Sequence, residues 1–431
     1  MSSSAVLSKR RRDEVVAALR NGTVPRNGLD VLAVGLGKFE KALGSDLDTA
    51  VQGGSVFKAV RGEYGSGKTF FSRWLGEQAK SRGMAVAEVQ ISETETPLHK
   101  LETVYRRICE SLQTSSYPPS AFRLILDAWL FALEAESDGN PEALLESRLS
   151  EVSKTTPAFA TALRAYHHAV EADDVDVAEG LAAWLAGQPN VAGSVRRKAG
   201  IRGDLDHFGA LGFLQGLLTV LRDSGHPGLL LVLDEVETLQ RVRTDVREKA
   251  LNALRQLIDE IDSGRFPGLF LVITGTPAFF DGSQGVQRLP PLAQRLATDF
   301  NLDPKFDNPR AIQLRLTGFT MEKLNELGRR VRDVYAHGAV NGERIRQKVD
   351  DTYIHDFASS LVGRLGGKVG IAPRLFLKKL VDVPLDRTDQ FDDFDPRRDY
   401  KLTIDSRELS IEERNSIPQT PATDVDDVQF T

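Results

Sequence analysis

A chain of 431 residues exceeds the usual size of one domain and suggests about two to three. Its 41% hydrophobic and 27% charged residues are ordinary for a globular protein, and no run of about 18 uncharged apolar residues is present, which excludes an evident membrane span. The net charge of −6 sits in 391–431, where 11 acidic residues face 5 basic ones; the rest is neutral, so global charge makes no case for nucleic-acid binding, although a local basic patch stays open.

The first ten residues place their charge after a very short apolar patch, the wrong order for a secretory signal. Val15, Val16 and Leu19 have helical spacing within 7–20, and Arg10, Arg11 and Arg12 before them read as a solvated face rather than a nucleic-acid contact. Asn21-Gly22 ends that helix, and a second helix over about 38–52 leads to the apolar run 56–60, with a lone Lys58. This run reads as a buried strand rich in β-branched and aromatic residues. It enters Gly62-Glu63-Tyr64-Gly65-Ser66-Gly67-Lys68-Thr69, after which 70–80 reads as a helix. Next comes a strand over 84–91, then a helix over 98–113 that carries Cys109. A single cysteine excludes an intrachain disulfide and suits a reducing cytoplasm, and its helical setting reads as a small buried side chain.

From about 117 to 203 the pattern is helical throughout: 122–136, 141–152, 157–171 and 175–186, with no convincing strand. This block reads as an insertion that packs mainly its own leucines, alanines and tryptophans, Trp129 and Trp184 among them. The glycine-containing basic loop 193–202 reads at least as well as a solvated linker as it does as a contact with DNA or a partner. A strongly apolar helix over 207–223 restores the earlier pattern, followed by the strand Leu229-Leu-Leu-Val-Leu-Asp234-Glu235. A charged helix over 245–262, a strand Leu269-Phe-Leu-Val-Ile-Thr274-Gly-Thr276 and a fifth, partly polar strand over 312–316 complete an α/β array. Runs this apolar, alternating with helices, predict a parallel five-stranded sheet covered on both faces. Helices over 321–335, 343–363 and 372–381 follow, then an acidic stretch, partly ordered, with disorder from about 418. The expected division is an N-terminal segment (1–54), a nucleotide domain (55–317) with its insertion, a helical lid (318–385) and an acidic tail (386–431).

Strand, glycine loop and helix in that order turn a short pattern into a phosphate site. The glycines let backbone N–H groups converge on phosphates, and the helix N-terminus adds partial positive charge. Lys68 is expected to reach the β- and γ-phosphates of ATP, and the Thr69 hydroxyl to ligate Mg²⁺. Asp234 and Glu235, ending a buried strand, are the candidate metal carboxylate and general base; Glu237 lies close by on a turn of unpredictable direction. Thr274, with Thr276 as second choice, is a candidate for ordering the attacking water. Arginine supplies charge stabilisation in such sites, and Arg295 is the first candidate, Arg288 the second, with Arg374 a third on the helical lid. The competing reading for each is a surface ion pair. The seven histidines show no metal-ligand spacing with cysteine or carboxylates, so no structural zinc is expected.

The order of phosphate loop, second strand, Asp-Glu strand, Thr-ended strand and small helical lid resembles the AAA+ ATPases, on their initiator and clamp-loader side. More specifically, the segments 60–71, Val232-Leu-Asp-Glu-Val-Glu-Thr-Leu239, Thr274-Gly-Thr-Pro277 and Ile371-Ala-Pro-Arg-Leu-Phe-Leu377 resemble the bacteriophage-exclusion (BREX) ATP-binding proteins of the BrxD type, over nearly the whole chain. The resemblance implies a cytoplasmic, Mg²⁺-dependent ATPase of antiphage defence that acts with other defence proteins, a helicase-like one included, and with DNA, directly or through a partner. It also implies a homo-oligomer or nucleotide-dependent dimer. On that pattern Arg374 matches a lid sensor, Thr274 a strand sensor and Arg295 a finger; the class often carries an amide where Thr274 stands. The rival expectations are a slowly hydrolysing signalling switch and a scaffold that only binds nucleotide.

Overall fold

The computed structural model describes residues 8–137, 140–365, 373–409 and 414. Val56–Arg61 (β1), Ala85–Gln90 (β2), Leu229–Asp234 (β3), Leu269–Gly275 (β4) and Gln313–Arg315 (β5) form one all-parallel sheet in the order β2–β3–β4–β1–β5. The helices up to the last of the insertion are α1 (Lys9–Arg20), α2 (Gly37–Val51), α3 (Lys68–Lys80), α4 (Leu101–Ser111), α5 (Phe122–Glu136), α6 (Pro141–Thr155), α7 (Pro157–Glu171), α8 (Val175–Leu185) and α9 (Gly193–Lys198). After them come α10 (His207–Asp223), α11 (Thr244–Asp262), α12 (Pro277–Asp281), α13 (Pro290–Arg295), α14 (Met321–Ala336), α15 (Gly342–Lys348), α16 (Asp351–Arg364), α17 (Pro373–Leu380), α18 (Asp386–Gln390) and α19 (Pro396–Asp399). The expected fold class, a parallel five-stranded P-loop sheet with helices on both faces, a helical insertion and further helices at the C-terminal end, is the one observed. No described helix is long and apolar enough to cross a membrane.

Two compact units divide the chain: residues 37–62 with 71–315, and residues 1–36 with 63–70 and 316–431. In the first, every residue of β3 and β4 is buried, as strands covered on both faces require. Alternation along the strands sorts the two covers. Phe57, Ala59, Ala85, Ala87, Leu229, Leu231, Leu271 and Ile273 share one large core with α4, α10, α11 and the insertion helices. The opposite face meets α2 and α3. Val86 lies 3.5 Å from where a Cβ on Gly76 of α3 would stand, and Lys58 pairs with Asp46 of α2 at 3.4 Å. Lys58 is tolerated in a buried strand because its ammonium also donates to the carbonyls of Arg310 and Ala311 at 2.8 and 3.0 Å.

The insertion does not keep a core to itself. Phe213 of α10 stacks edge-on with Tyr105 of α4, Phe159 of α7 and Trp184 of α8 at 5.6, 5.1 and 5.3 Å, which makes the insertion core continuous with the sheet. Gly216 permits this, since a Cβ there would stand 2.6 Å from the Phe159 ring. Cys109 is buried in the same core, and burial, partly countered by a hydrogen bond with Tyr105, pushes its thiol up to about 12.

In the second unit α1 packs with α14, α16 and α17 around Val15, Leu19, Leu327, Ile354, Leu361, Leu375 and Phe376. The single helix expected over 343–363 is two. Val349 leaves helical geometry, and the Asp350 carboxylate accepts from the N–H of Tyr353 at 2.8 Å, capping a new helix. The helix expected to end at 381 runs on: Val381–Leu385 forms a wider π turn that takes Pro384 inside, and the chain continues into α18. The acidic segment is tied down as far as Leu409, with Leu402 and Leu409 buried. The disorder expected from 418 falls outside the described residues.

Candidate functional site

The glycine loop leaves the C-terminal end of β1, a strand paired on both sides. The N–H of Gly62 continues that pairing to the carbonyl of Gly275 at 3.1 Å, and a turn then closes from the N–H of Ser66 to the carbonyl of Glu63, also at 3.1 Å. Gly65 and Gly67 adopt φ of 76° and 90°, the left-handed region where a side chain is strained. Helix α3 begins at Lys68 itself, so Lys68 and Thr69 stand in its first turn, at the positive end of the helix dipole. Lys68 is buried; its ammonium donates to the Glu63 carbonyl at 3.4 Å and lies 5.2 Å from the centre of the Tyr64 ring. A turn of glycines opening a long helix is suited to phosphate, and the oxygen donors Thr69 and Asp234 are of the hard kind Mg²⁺ takes.

The acidic pair stands at the end of β3, between β2 and β4. Asp234 and Thr274 follow the neighbouring pair Leu233 and Ile273, and the Thr274 hydroxyl, fully buried, donates to Asp234 Oδ1. The N–H of Glu235 points into the same junction, 3.1 Å from Asp234 Oδ1 and 3.3 Å from Thr274 Oγ1. That arrangement holds Glu235 at φ 60°, ψ 41°, a left-handed conformation uncommon in a residue with a side chain. Gln90, the last residue of β2, pairs in register with Asp234, and its amide donates to Glu235 Oε2 at 2.9 Å. A turn over Val236–Gln240 follows, and Glu237 on it is buried.

That turn is clamped from below. Arg247 of α11 is buried and donates from Nε to the carbonyl of Leu239 at 3.0 Å, and from Nη2 to those of Gln240 and Val242 at 2.9 and 2.8 Å. Its remaining nitrogen reaches the amide oxygen of Gln284. Gln90 and Arg247 both escaped the sequence reading. The signal for Gln90 is a polar residue ending an alternating strand, but only the sheet order reveals that Glu235 lies beside it.

The structure brings Asp234, Glu235 and Thr274 together, and sets residues 62–67 as the loop between β1 and α3, with Lys68 and Thr69 opening that helix. The three arginine candidates are otherwise engaged. Arg295 pairs with Asp259 at 2.5 Å and Arg288 with Glu248 at 3.1 Å, both carboxylates on α11. Arg374, second residue of α17, donates to the carbonyl of Glu408 at 2.6 Å. Thr276 is buried at the start of α12, its carbonyl accepting from Phe279 at 3.0 Å.

One expectation about histidine needs correcting. His167, His168 and Glu171 on α7 do carry ligand spacing, with three donor atoms within 4.8 Å of one another. The buried His167 has no partner for Nδ1 among the described residues, whereas a metal-bound imidazole normally donates its second nitrogen to an acceptor.

Residues 7–404 match the family model described as BREX system ATP-binding protein BrxC/D. Among solved structures the chain is similar to the Aeropyrum pernix ORC2 protein in its ADPNP–ADP complexes, at 13% identity over 86% of this chain and 70% of that one, with a TM-score of 0.35. A search of curated proteins finds no match.

Proposed function

We propose that this chain, which belongs to the BREX system ATP-binding protein BrxC/D family, hydrolyses ATP to ADP and phosphate with Mg²⁺. On this reading it uses the cycle to rearrange other defence proteins on DNA. The observation that carries hydrolysis, beyond binding, is the carboxylate junction: Asp234 is fixed by Thr274, and Glu235 beside it is held in a strained backbone with its side chain tethered by Gln90. Strain of this kind gathers at functional positions.

The loop amides and Lys68 would hold the phosphates, and Thr69 and Asp234 would hold Mg²⁺, which supplies charge neutralisation on the phosphate oxygens when bound. Glu235 then takes the proton of the attacking water. Arg295 enters as the charge-stabilising group of a neighbouring copy, after release from Asp259. Two observations support that role: its side chain is 40% exposed, and it ends a short helix.

Turnover by the purified protein, measured against protein concentration with and without DNA, tests the reading. Lys68→Ala is expected to abolish nucleotide binding. Glu235→Gln is expected to keep binding while turnover falls at least about 100-fold, the scale of a lost general base. Hydrolysis by Glu235→Gln at the parental rate would sink the base assignment, and a rate per chain flat with concentration and indifferent to DNA would sink the assembly on DNA.

A further inference from the structure

We infer that Thr274 is a positioning residue for the two carboxylates rather than a group that meets water or phosphate. The inference rests on the ATP-hydrolysis reading above and goes beyond it in assigning this hydroxyl its target. Thr274 has no accessible surface, so its hydroxyl is closed to the solvent side from which a nucleotide enters. Both halves of the hydroxyl face the junction: its O–H donates to Asp234 Oδ1, and its oxygen accepts from the Glu235 N–H at 3.3 Å. Asp234 Oδ1 thereby receives two donors, Thr274 and the Glu235 N–H at 3.1 Å, which fixes the carboxylate plane about its last torsion. The same two acceptors hold the Glu235 amide in the left-handed backbone that aims its side chain towards Gln90. β4 supplies this hydroxyl because its strand end lies directly beside that of β3. Serine retains the hydroxyl; valine fills the same space and offers neither donor nor acceptor.

The decisive measurement is the Mg²⁺ dependence of fluorescent ATP-analogue binding to the full chain, with turnover and thermal melting alongside. Thr274→Val should bind the analogue in EDTA as the parent does, while its Mg²⁺ midpoint rises about tenfold, the worth of one hydrogen bond to a charged group, and turnover falls with it. Thr274→Ser should recover both. Asp234→Asn should show the raised midpoint by itself, with valine at 274 adding nothing further. A Thr274→Val protein with lowered turnover but the parental Mg²⁺ midpoint would overturn the inference, as would a full additional effect on top of Asp234→Asn. If valine prevents folding, serine and cysteine at 274 decide: the midpoint should stay parental for serine and rise for cysteine, and equal midpoints overturn the proposal. A parent that never hydrolyses ATP would end the hydrolysis reading, yet the Mg²⁺ midpoints would still judge Thr274.

Discussion

At Glu235 the chain accepts a local cost. A side chain at φ 60° crowds the following carbonyl, and such residues persist only where surrounding bonds over-determine them. Here the bonds are visible: the amide reaches Asp234 and Thr274, and the Glu235 carbonyl accepts from the Thr238 hydroxyl at 3.0 Å. The cost belongs to the backbone and is separable from the carboxylate. Comparing Glu235→Gly with Glu235→Ala isolates it, since both lack the carboxylate and only alanine keeps a Cβ. Glycine should be the more stable by about 0.5–1 kcal/mol in urea melts, the left-handed penalty less glycine's extra freedom when unfolded. Equal stabilities would mean that Glu235 is unstrained, and the argument linking its conformation to function would fail.

Among elements, the segment from β3 to α11 carries the candidate acidic pair, and Arg247 holds the turn that follows it. A guanidinium with three carbonyl acceptors closes the C-terminal end of the Val236–Gln240 turn, where the bond to the Leu239 carbonyl is buried. Arg247→Met keeps much of the packing volume and removes every donor. It should cost about 2–4 kcal/mol of stability, loosen the turn to proteolysis near residues 236–243, and lower turnover while analogue binding persists. A variant cut no faster there and as stable as the parent would refute the clamp. Strands and helices were legible in the sequence because their cause is local: β3 is a run of buried apolar residues, and α5, α7 and α10 follow their own periodicity. Of the candidate site, the loop, Asp234 and Glu235 stood out in the sequence because each is marked by its neighbours along the chain. Gln90 and Arg247 could not, since their meaning depends on strand order and on a turn's carbonyls. The break at Val349–Asp350 and the π turn through Pro384 were missed for a related reason: a single cap or proline was weighed without the packing that decides it.

For the whole molecule, the ends of the chain meet in one unit. Arg20 of α1 donates through Nε and Nη2 to the two carboxylate oxygens of Asp386 at 2.7 Å each, and the Tyr335 hydroxyl donates to the same carboxylate at 2.6 Å. Asp386 is buried and three donors converge on it, so the charge is compensated; burial, with this carboxylate beside it, pushes the Tyr335 hydroxyl well above its usual range. Further along the acidic stretch, Lys348 pairs with Asp395 at 3.2 Å and Lys379 with Glu408 at 2.7 Å, which accounts for acids that the sequence presented only as a charge run. The two units can be watched separately because all three tryptophans, Trp74, Trp129 and Trp184, lie in the sheet-bearing one. Asp386→Asn keeps the shape but replaces one acceptor oxygen by an NH2 donor, losing at least one of the three bonds and weakening the rest, at a cost of about 2 kcal/mol once the partial exposure of Arg20 is discounted. Far-ultraviolet circular dichroism should then reveal an earlier loss of helix, while the tryptophan fluorescence transition stays at its parental temperature. Equal movement of both signals would mean that the junction of α1 and α18 stabilises the entire chain as one cooperative body, and unchanged signals would mean that the buried carboxylate contributes no net stability.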